Sequence, residues 1–255
     1  KYRPILNAAT MLNQSKTCHQ AEIDASCELA DFFRFNAYFA QQIYAQQPMY
    51  SDFGQWNSSQ ARPLDGFVFA VTPFNFTSIA INLAASPVLM GNTVIWKPAP
   101  TSVLSSYIGM QILEEAGLPS GVINFITGAP DIIGAQVLKN KNLAGVHFTG
   151  STDTFEYLWQ EVAKNIKEYK SYPRIVGETG GKDFVFAHSS CDVDELVTGL
   201  VRGAFEFQGQ KCSAASRAYI PQSLWPQVKS KLVERTSNLE MGDPAEYRNS
   251  FGCSY

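Results

Sequence analysis

The sequence is short of the signatures that usually announce a nucleotide, a metal or an activated hydroxyl. No two of its 18 glycines stand two residues apart, so the G-x-G-x-x-G dinucleotide fingerprint is missing. Val176 occupies the position where a P-loop ending in Gly181-Lys182 would need its first glycine. No G-x-S-x-G elbow occurs, since the nearest string, Gly177-Glu178-Thr179-Gly180-Gly181, has Thr at its centre. With only His19, His147 and His188, and no H-E-x-x-H motif, a metal site is not expected. The five cysteines, Cys18, Cys27, Cys191, Cys212 and Cys253, form no C-x-x-C pair. Their odd number argues against a disulfide framework and leaves at least one thiol free. Neither sign of charge is in excess: Lys plus Arg is 20, Asp plus Glu 23, the net charge is −3, and no block of like charges occurs. That balance argues against a nucleic-acid groove or a polybasic membrane patch. No window approaches about 18 consecutive apolar residues, and Lys1-Tyr2-Arg3-Pro4 does not lead into a signal-peptide stretch, so the expectation is a soluble, intracellular protein.

What the chain does have is enough apolar residue, 45% of 255, to bury a sizeable core. Gln20 to Gln47 contains neither Gly nor Pro and spaces its apolar residues as a helix does, which predicts one long helix stopped by Pro48. Pro48 to Asp65 is polar and reads as a connection. Beyond it, short runs rich in Val, Ile and Phe (66–71, 93–96, 122–126, 145–148, 174–176 and 184–187) alternate with helical patterns at 77–90, 101–116, 131–139 and 151–169. Strand-helix-strand alternation predicts an α/β fold with a parallel sheet covered on both faces. In 151–169, Phe155, Leu158, Trp159, Val162, Ala163 and Ile166 form one apolar stripe behind a capping Ser151, and the stripe is expected to lie on the sheet. A second amphipathic helix, 193–207, starts behind Asp192 with Glu195 three residues on and closes at Gly209. The absence of an initiator Met and the abrupt end at Phe251-Gly252-Cys253-Ser254-Tyr255 suggest a piece of something longer.

Three residues stand where chemistry is expected. Cys212 lies on a Gly-flanked loop, Phe205-x-x-x-Gly209-Gln210-x-Cys212, directly after the second amphipathic helix. Taken alone it reads either as a buried inert thiol or as a nucleophile whose surroundings favour the thiolate. Glu178 sits among glycines at the end of a strand, either as a solvated turn residue or as a general base. Asn75, in Thr72-Pro73-Phe74-Asn75-Phe76, follows another strand, as a turn former or as an amide donor at the carboxyl end of the sheet, where α/β ligands bind. Together they suit one chemistry, with a Cys nucleophile, an Asn donor to an oxyanion, and a Glu that activates water.

At this point the sequence resembles the aldehyde dehydrogenase superfamily. The resemblance is carried, in order, by Pro73-Phe74-Asn75-Phe76, Trp96-Lys97-Pro98, Phe148-Thr149-Gly150-Ser151, Glu178-x-Gly180-Gly181-Lys182 and the Cys212 loop, and the Glu178 to Cys212 interval agrees with it. It implies a Rossmann-like, NAD-binding parallel-sheet domain at 1–182 and the first part of an α/β catalytic domain at 183–255. It implies catalytic roles for Cys212, Glu178 and Asn75. It places the pyrophosphate of NAD at the helix opening of Gly150-Ser151, where free backbone N–H groups favour an anion, and the adenosine ribose on Lys97. Thr72, Pro73, Thr149 and Gly180 join that cofactor site. The family motif has Gly at the position of Phe155, so this Phe either narrows the cofactor cleft or packs on the sheet.

Longer strings, Ala21-Glu22-Ile23-Asp24, Asp31-Phe32-Phe33-Arg34-Phe35-Asn36 and Gly209-Gln210-Lys211-Cys212-Ser213-Ala214, are similar to the branch of the family that oxidises glutamate-γ-semialdehyde (Δ1-pyrroline-5-carboxylate) to glutamate in proline catabolism. That branch implies Ser213 at the substrate carboxylate, Phe76 along its aliphatic part, and Glu28 near its amino group; as a residue, Glu28 reads equally well as a helix-surface charge. The alternative within the family is a succinate-semialdehyde or broad-specificity enzyme, and outside it a thiol hydrolase pairing Cys with His. The resemblance further implies a homo-oligomer, a proline dehydrogenase as possible partner, and a cytoplasmic location if bacterial or the mitochondrial matrix if eukaryotic. The family's Glu-x-Phe motif does not follow Cys212, so low activity is expected of this stretch by itself.

Overall fold

In the computed structural model, which describes residues 1–252, the α/β alternation folds as one twisted parallel sheet with helices on both faces, followed by a smaller two-stranded unit. Cys253, one of the five thiols, lies outside the described residues. The chain opens with α1 (Arg3–Gln14), then α2 (Cys18–Ala21), a π-helical turn (Glu22–Cys27) and α3 (Glu28–Ala45). The last three run on without a break, so the long helix expected at 20–47 exists, but with a π turn inside it. Residues 46–66 carry no helix or strand, as a connection should.

The main sheet is built from β1 (Phe67–Val71), β2 (Thr93–Lys97), β3 (Ile123–Phe125), β4 (Leu143–Thr149) and β5 (Arg174–Glu178) in the order β3-β2-β1-β4-β5. All neighbours are parallel, with Val71 beside Lys97 and Phe148, and Thr149 beside Glu178. The connecting helices are α4 (Thr77–Leu89), α5 (Val103–Glu115), α6 (Pro130–Val137) and α7 (Thr152–Lys164). Period-two alternation sends Val68 and Ala70 to one face, with Trp96, Ile81 and Leu29, and Phe69 to the other, with Val146, Leu138 and Leu158. Each face is thus a separate core, as a doubly wound sheet requires. The fully buried Trp96 keeps its polar edge satisfied by donating its indole N–H to Thr72 Oγ1 at 3.0 Å, which ties β2 to the exit of β1.

Two expectations need correction. The helix at 151–169 ends at Lys164, and of its stripe Leu158 and Val162 are buried while Trp159 and Ile166 are exposed, so the stripe meets the sheet along a narrower line than its spacing suggested. In α8 (Val193–Phe205), Asp192 caps as expected, accepting the N–H groups of Asp194 and Glu195 at 2.8 and 2.9 Å, although the reciprocal Glu195 arm of a capping box is not formed. Val197, Leu200 and Val201 bury against Val228 of α9 (Trp225–Ser237), and β6 (Phe184–Phe186) pairs in parallel with β7 (Arg217–Tyr219). Short strands β8 (Met241–Gly242) and β9 (Phe251–Gly252) close the described chain. Among the described residues, no helix is long and apolar enough to cross a membrane.

Candidate active site

Strand order reverses between β1 and β4, and the carboxyl ends of these two strands frame a cleft of about 940 Å³. This is the crevice in which open parallel sheets bind ligands, and its size lies at the upper end of small-molecule sites. Pro73 lacks an N–H and ends the pairing of β1, so the chain turns out through Thr72, Pro73 and Asn75, all of which line the cleft. Thr149 lines it from the end of β4, Gly150 and Ser151 from the turn into α7, Lys97 from β2, Gly180 from beyond β5, and Cys212 from the loop after α8. Cys212, Asn75 and all seven residues expected at the cofactor thus meet in one place.

Local geometry refines several of them. Ser151 caps α7, accepting the Thr154 N–H at 3.3 Å. The Gly150 N–H, expected to be free for an anion, is instead given to the Glu178 carbonyl at 3.1 Å, because β4 and β5 remain in register to their ends. A Cβ at Gly150 would lie 2.7 Å from the Phe148 ring, so only glycine fits there. Lys97 is buried, donates from Nζ to the Pro98 carbonyl at 3.1 Å, and has its ammonium pushed below its ordinary pKa by that burial. Phe155 takes the packing alternative. It stacks on Phe148 with centroids 5.8 Å apart, fills the space a Cβ of Gly177 would need, and does not line the cleft.

The thiol is delivered by a sharp reversal. After α8, a 3-10 turn (Glu206–Gly209) places Phe207, Gln208 and Gly209 at φ of 50°, 53° and 68°, a left-handed stretch that strains its two non-glycine members. Burial of the Phe207 ring and a hydrogen bond that Gln208 Nε2 donates to the Gly252 carbonyl hold it. The Cys212 carbonyl then accepts the Gly181 N–H at 3.1 Å, Cys212 Sγ stands 3.9 Å from Glu178 Oε1, and Asn75 Nδ2 donates to the Gln210 carbonyl at 2.8 Å. The Cys212 thiol is held above its ordinary pKa, first by burial and then by the Glu178 carboxylate, with the Ser213 and Cys212 backbone N–H groups opposing. Of the two readings the sequence left open, the surroundings therefore favour the protonated thiol, and Glu178 is the carboxylate beside it that can accept its proton.

Phe76, Ser213 and Glu28 do not line this cleft. Ser213 is exposed beside Cys212, and Phe76 is buried. Glu28, half-buried rather than a surface charge, accepts from Ser78 Oγ at 2.5 Å, and burial raises its pKa. Sequence reasoning passed over Gly181, where a Cβ would lie 2.1 Å from the Cys212 carbonyl, and over Gln210; the glycine doublet was the available signal for the first. The histidines lie elsewhere. His147 pairs with the Leu83 carbonyl, His188 with Ser190, and His19 lines a separate cleft with Phe251, so the Cys-His reading has no geometry behind it. Among the described residues, no cluster of three or more His, Cys, Asp or Glu converges as a metal site.

A family model described as aldehyde dehydrogenase family matches residues 2–254. The chain is 54% identical, over 97% of its length, to the mitochondrial Delta-1-pyrroline-5-carboxylate dehydrogenase of Dictyostelium discoideum and 51% identical, over 96%, to that of Homo sapiens. It superimposes with a TM-score of 0.96 and 57% identity, over 99% of its length, on the crystal structure of the Mycobacterium tuberculosis Delta-pyrroline-5-carboxylate dehydrogenase bound with NAD. It spans less than half the length of these relatives: 45%, 43% and 47% respectively. A match that runs through nearly every residue of the chain, with identities above one half, leaves no other home for it: the chain belongs to the aldehyde dehydrogenase family.

Proposed function

We propose that this chain carries the nucleophile, oxyanion donor and general base of an NAD-dependent oxidation of glutamate-γ-semialdehyde, the open form of Δ1-pyrroline-5-carboxylate, to glutamate. The observation that carries the reading is that Cys212 and Asn75 line one cleft, with Glu178, just outside its lining, 3.9 Å from Cys212 Sγ and Asn75 bonded to the Cys212 loop at Gln210. The cleft fits an extended dinucleotide. It is roomy, largely apolar, opens at a sheet crossover point, and offers a buried ammonium on Lys97 with the first turn of α7 nearby. Lys97 would hold a ribose, and Thr72, Pro73, Thr149, Gly150, Ser151 and Gly180 would shape the remaining contact. When bound, NAD supplies the acceptor for the hydride that leaves the substrate carbon.

Cys212 does the bond-making. Its proton passes to Glu178, and Sγ adds to the aldehyde carbon, leaving an oxyanion faced by the Asn75 amide and the Cys212 backbone N–H. After oxidation the acyl group is a thioester on Cys212. Glu178 gives the thiol's proton up to solvent and, again a carboxylate, takes one from the water that adds to the thioester; the acid is released as Cys212 leaves as thiolate and recovers a proton from Glu178. Asn75 gives up its Gln210 partner to serve the oxyanion, so Asn75→Ala is expected to lower kcat by roughly 10²- to 10³-fold with a much smaller change in the Kd for NAD. Stopped-flow rates and a binding titration check both parts. Gly181→Ala would push on the Cys212 carbonyl and is expected to cost roughly tenfold or more in kcat and to lower Tm, read by kinetics and calorimetry.

For the substrate, Ser213 would meet the carboxylate, Phe76 the aliphatic chain, and Glu28 the ammonium, the last while sharing its carboxylate with Ser78. The division at residue 182 follows the gap between the five-stranded and two-stranded sheets. The same reading extends to a homo-oligomer supplied by a proline dehydrogenase, in the matrix if the source is eukaryotic, as the names of the eukaryotic relatives suggest, and in the cytoplasm if bacterial. The test is NADH formation by a protein of the relatives' full length that carries this chain. A kcat/KM preference of about a hundredfold for glutamate-γ-semialdehyde over succinate semialdehyde and a simple aliphatic aldehyde is expected. A flat profile would keep the chemistry and remove the roles of Ser213, Phe76 and Glu28.

A further inference from the structure

Lys16 is fully enclosed, its side chain 0% exposed, in the link between α1 and α2, and no step above uses it. Its Nζ stands 2.8 Å from Asp24 Oδ2, donates to the backbone carbonyl of Asn75, and lies over the rings of Phe76 and Phe207, 4.4 Å from each centroid. Asp24, with a side chain 3% exposed, projects from the π-helical turn and also meets Lys211, whose Nζ is 3.2 Å from the same oxygen. Lys211 is the residue before Cys212. One buried carboxylate therefore joins two ammonium groups, one gripping the residue that carries the amide donor and the other adjoining the residue that carries the thiol. Stability is a poor reason for this arrangement, because desolvation of buried charges offsets most of their attraction and apolar residues of similar volume serve as well or better. A π turn inside a long helix is also a device that recurs at functional sites.

We infer that Lys16 and Asp24 are positioning residues for the aldehyde-oxidising centre: acting through Lys211 and the Asn75 carbonyl, they fix amide donor and thiol relative to one another before substrate arrives. The inference rests on the function proposed above. It makes the rate of hydride transfer depend on the charge of Lys16. Burial lowers the Lys16 pKa to about 8, while Asp24 raises it, Lys211 lowers it and Glu28 raises it. Glu206, which faces Lys211 at 3.3 Å from the 3-10 turn, completes the charged set. Above about pH 8 Lys16 becomes neutral and its pairing with Asp24 weakens.

The experiment uses the full-length protein and reads the single-turnover rate constant of NADH formation from pH 6.5 to 9.5, a quantity independent of the folded fraction. The parent is expected to show an alkaline decline centred near 8. Asp24→Asn keeps the side-chain volume, so it tests the charge; the expected result is a burst rate constant lowered about tenfold or more, with the alkaline decline moved to lower pH because Lys16 has lost the anion that supports its charge. Lys16→Met is expected to show a comparable loss with no alkaline decline. The Kd for NAD should change less than about threefold in both. If Asp24→Asn keeps the parent's rate within twofold and its decline in place, the inference is overturned, whether or not Lys16→Met folds. A parent with no aldehyde-dependent burst would instead overturn the proposed function itself.

Discussion

Replacing Cys212 with Ala is expected to lower aldehyde oxidation by about 10⁴-fold or more, because it removes the atom that bonds to substrate rather than one that assists. The other described thiols have no comparable setting. Cys27 pairs with Glu22 on the π turn, 3.3 Å away, but lies outside the cleft, and Cys18 and Cys191 do not line it either. None lines the cleft as Cys212 does, so none can substitute. Steady-state NADH formation in the full-length protein decides it, and a variant retaining a tenth of parental activity would remove Cys212 from the mechanism. The raised thiol pKa adds a second readout. Alkylation of Cys212 in the protein without cofactor should keep accelerating as pH rises past the ordinary thiol value, since burial and Glu178 both disfavour the thiolate. A plateau below neutrality would contradict the geometry.

The main sheet was legible because each of its strands carries a compact run of β-branched and aromatic residues between glycines or prolines, and β1 to β6 all formed where those runs lie. Strand β7 escaped notice because Arg217–Tyr219 is three exposed residues with no alternation. Helix α9 was missed because its polar sequence buries only Val228 fully. Cys212, Asn75 and Glu178 could be picked out because each stands in a short string after a strand or helix end. The Lys16, Asp24 and Lys211 cluster could not be, since its members are far apart in sequence and each alone reads as an ordinary surface charge. Burial is what gives the cluster meaning, and burial is a property of the folded chain. The amide of Gly150 shows the converse: a free donor by motif, it was claimed by Glu178 through strand register.

Replacing Glu178 with Gln is expected to separate the two halves of the reaction. A general base is worth roughly 10²- to 10⁴-fold, and here that factor falls on thioester hydrolysis. The variant should release about one NADH per active site in a rapid burst and then turn over slowly by that factor, with intact-mass analysis showing the acyl group retained on Cys212. The burst itself carries further information. Glu178 raises the Cys212 pKa through its charge, so Gln at this position should lower it and leave more thiolate at neutral pH. If Glu178 acted on water alone, the burst would be as fast as in the parent or faster. If it also accepts the thiol proton, as the 3.9 Å approach of Sγ to Oε1 implies, the burst should slow at neutral pH and recover as pH rises toward about 8, where solvent takes over deprotonation before Lys16 loses its charge. Steady-state turnover within tenfold of the parent, with no acyl-enzyme, would mean that another group activates the water and that Glu178 owes its place beside Cys212 to the end of β5 alone.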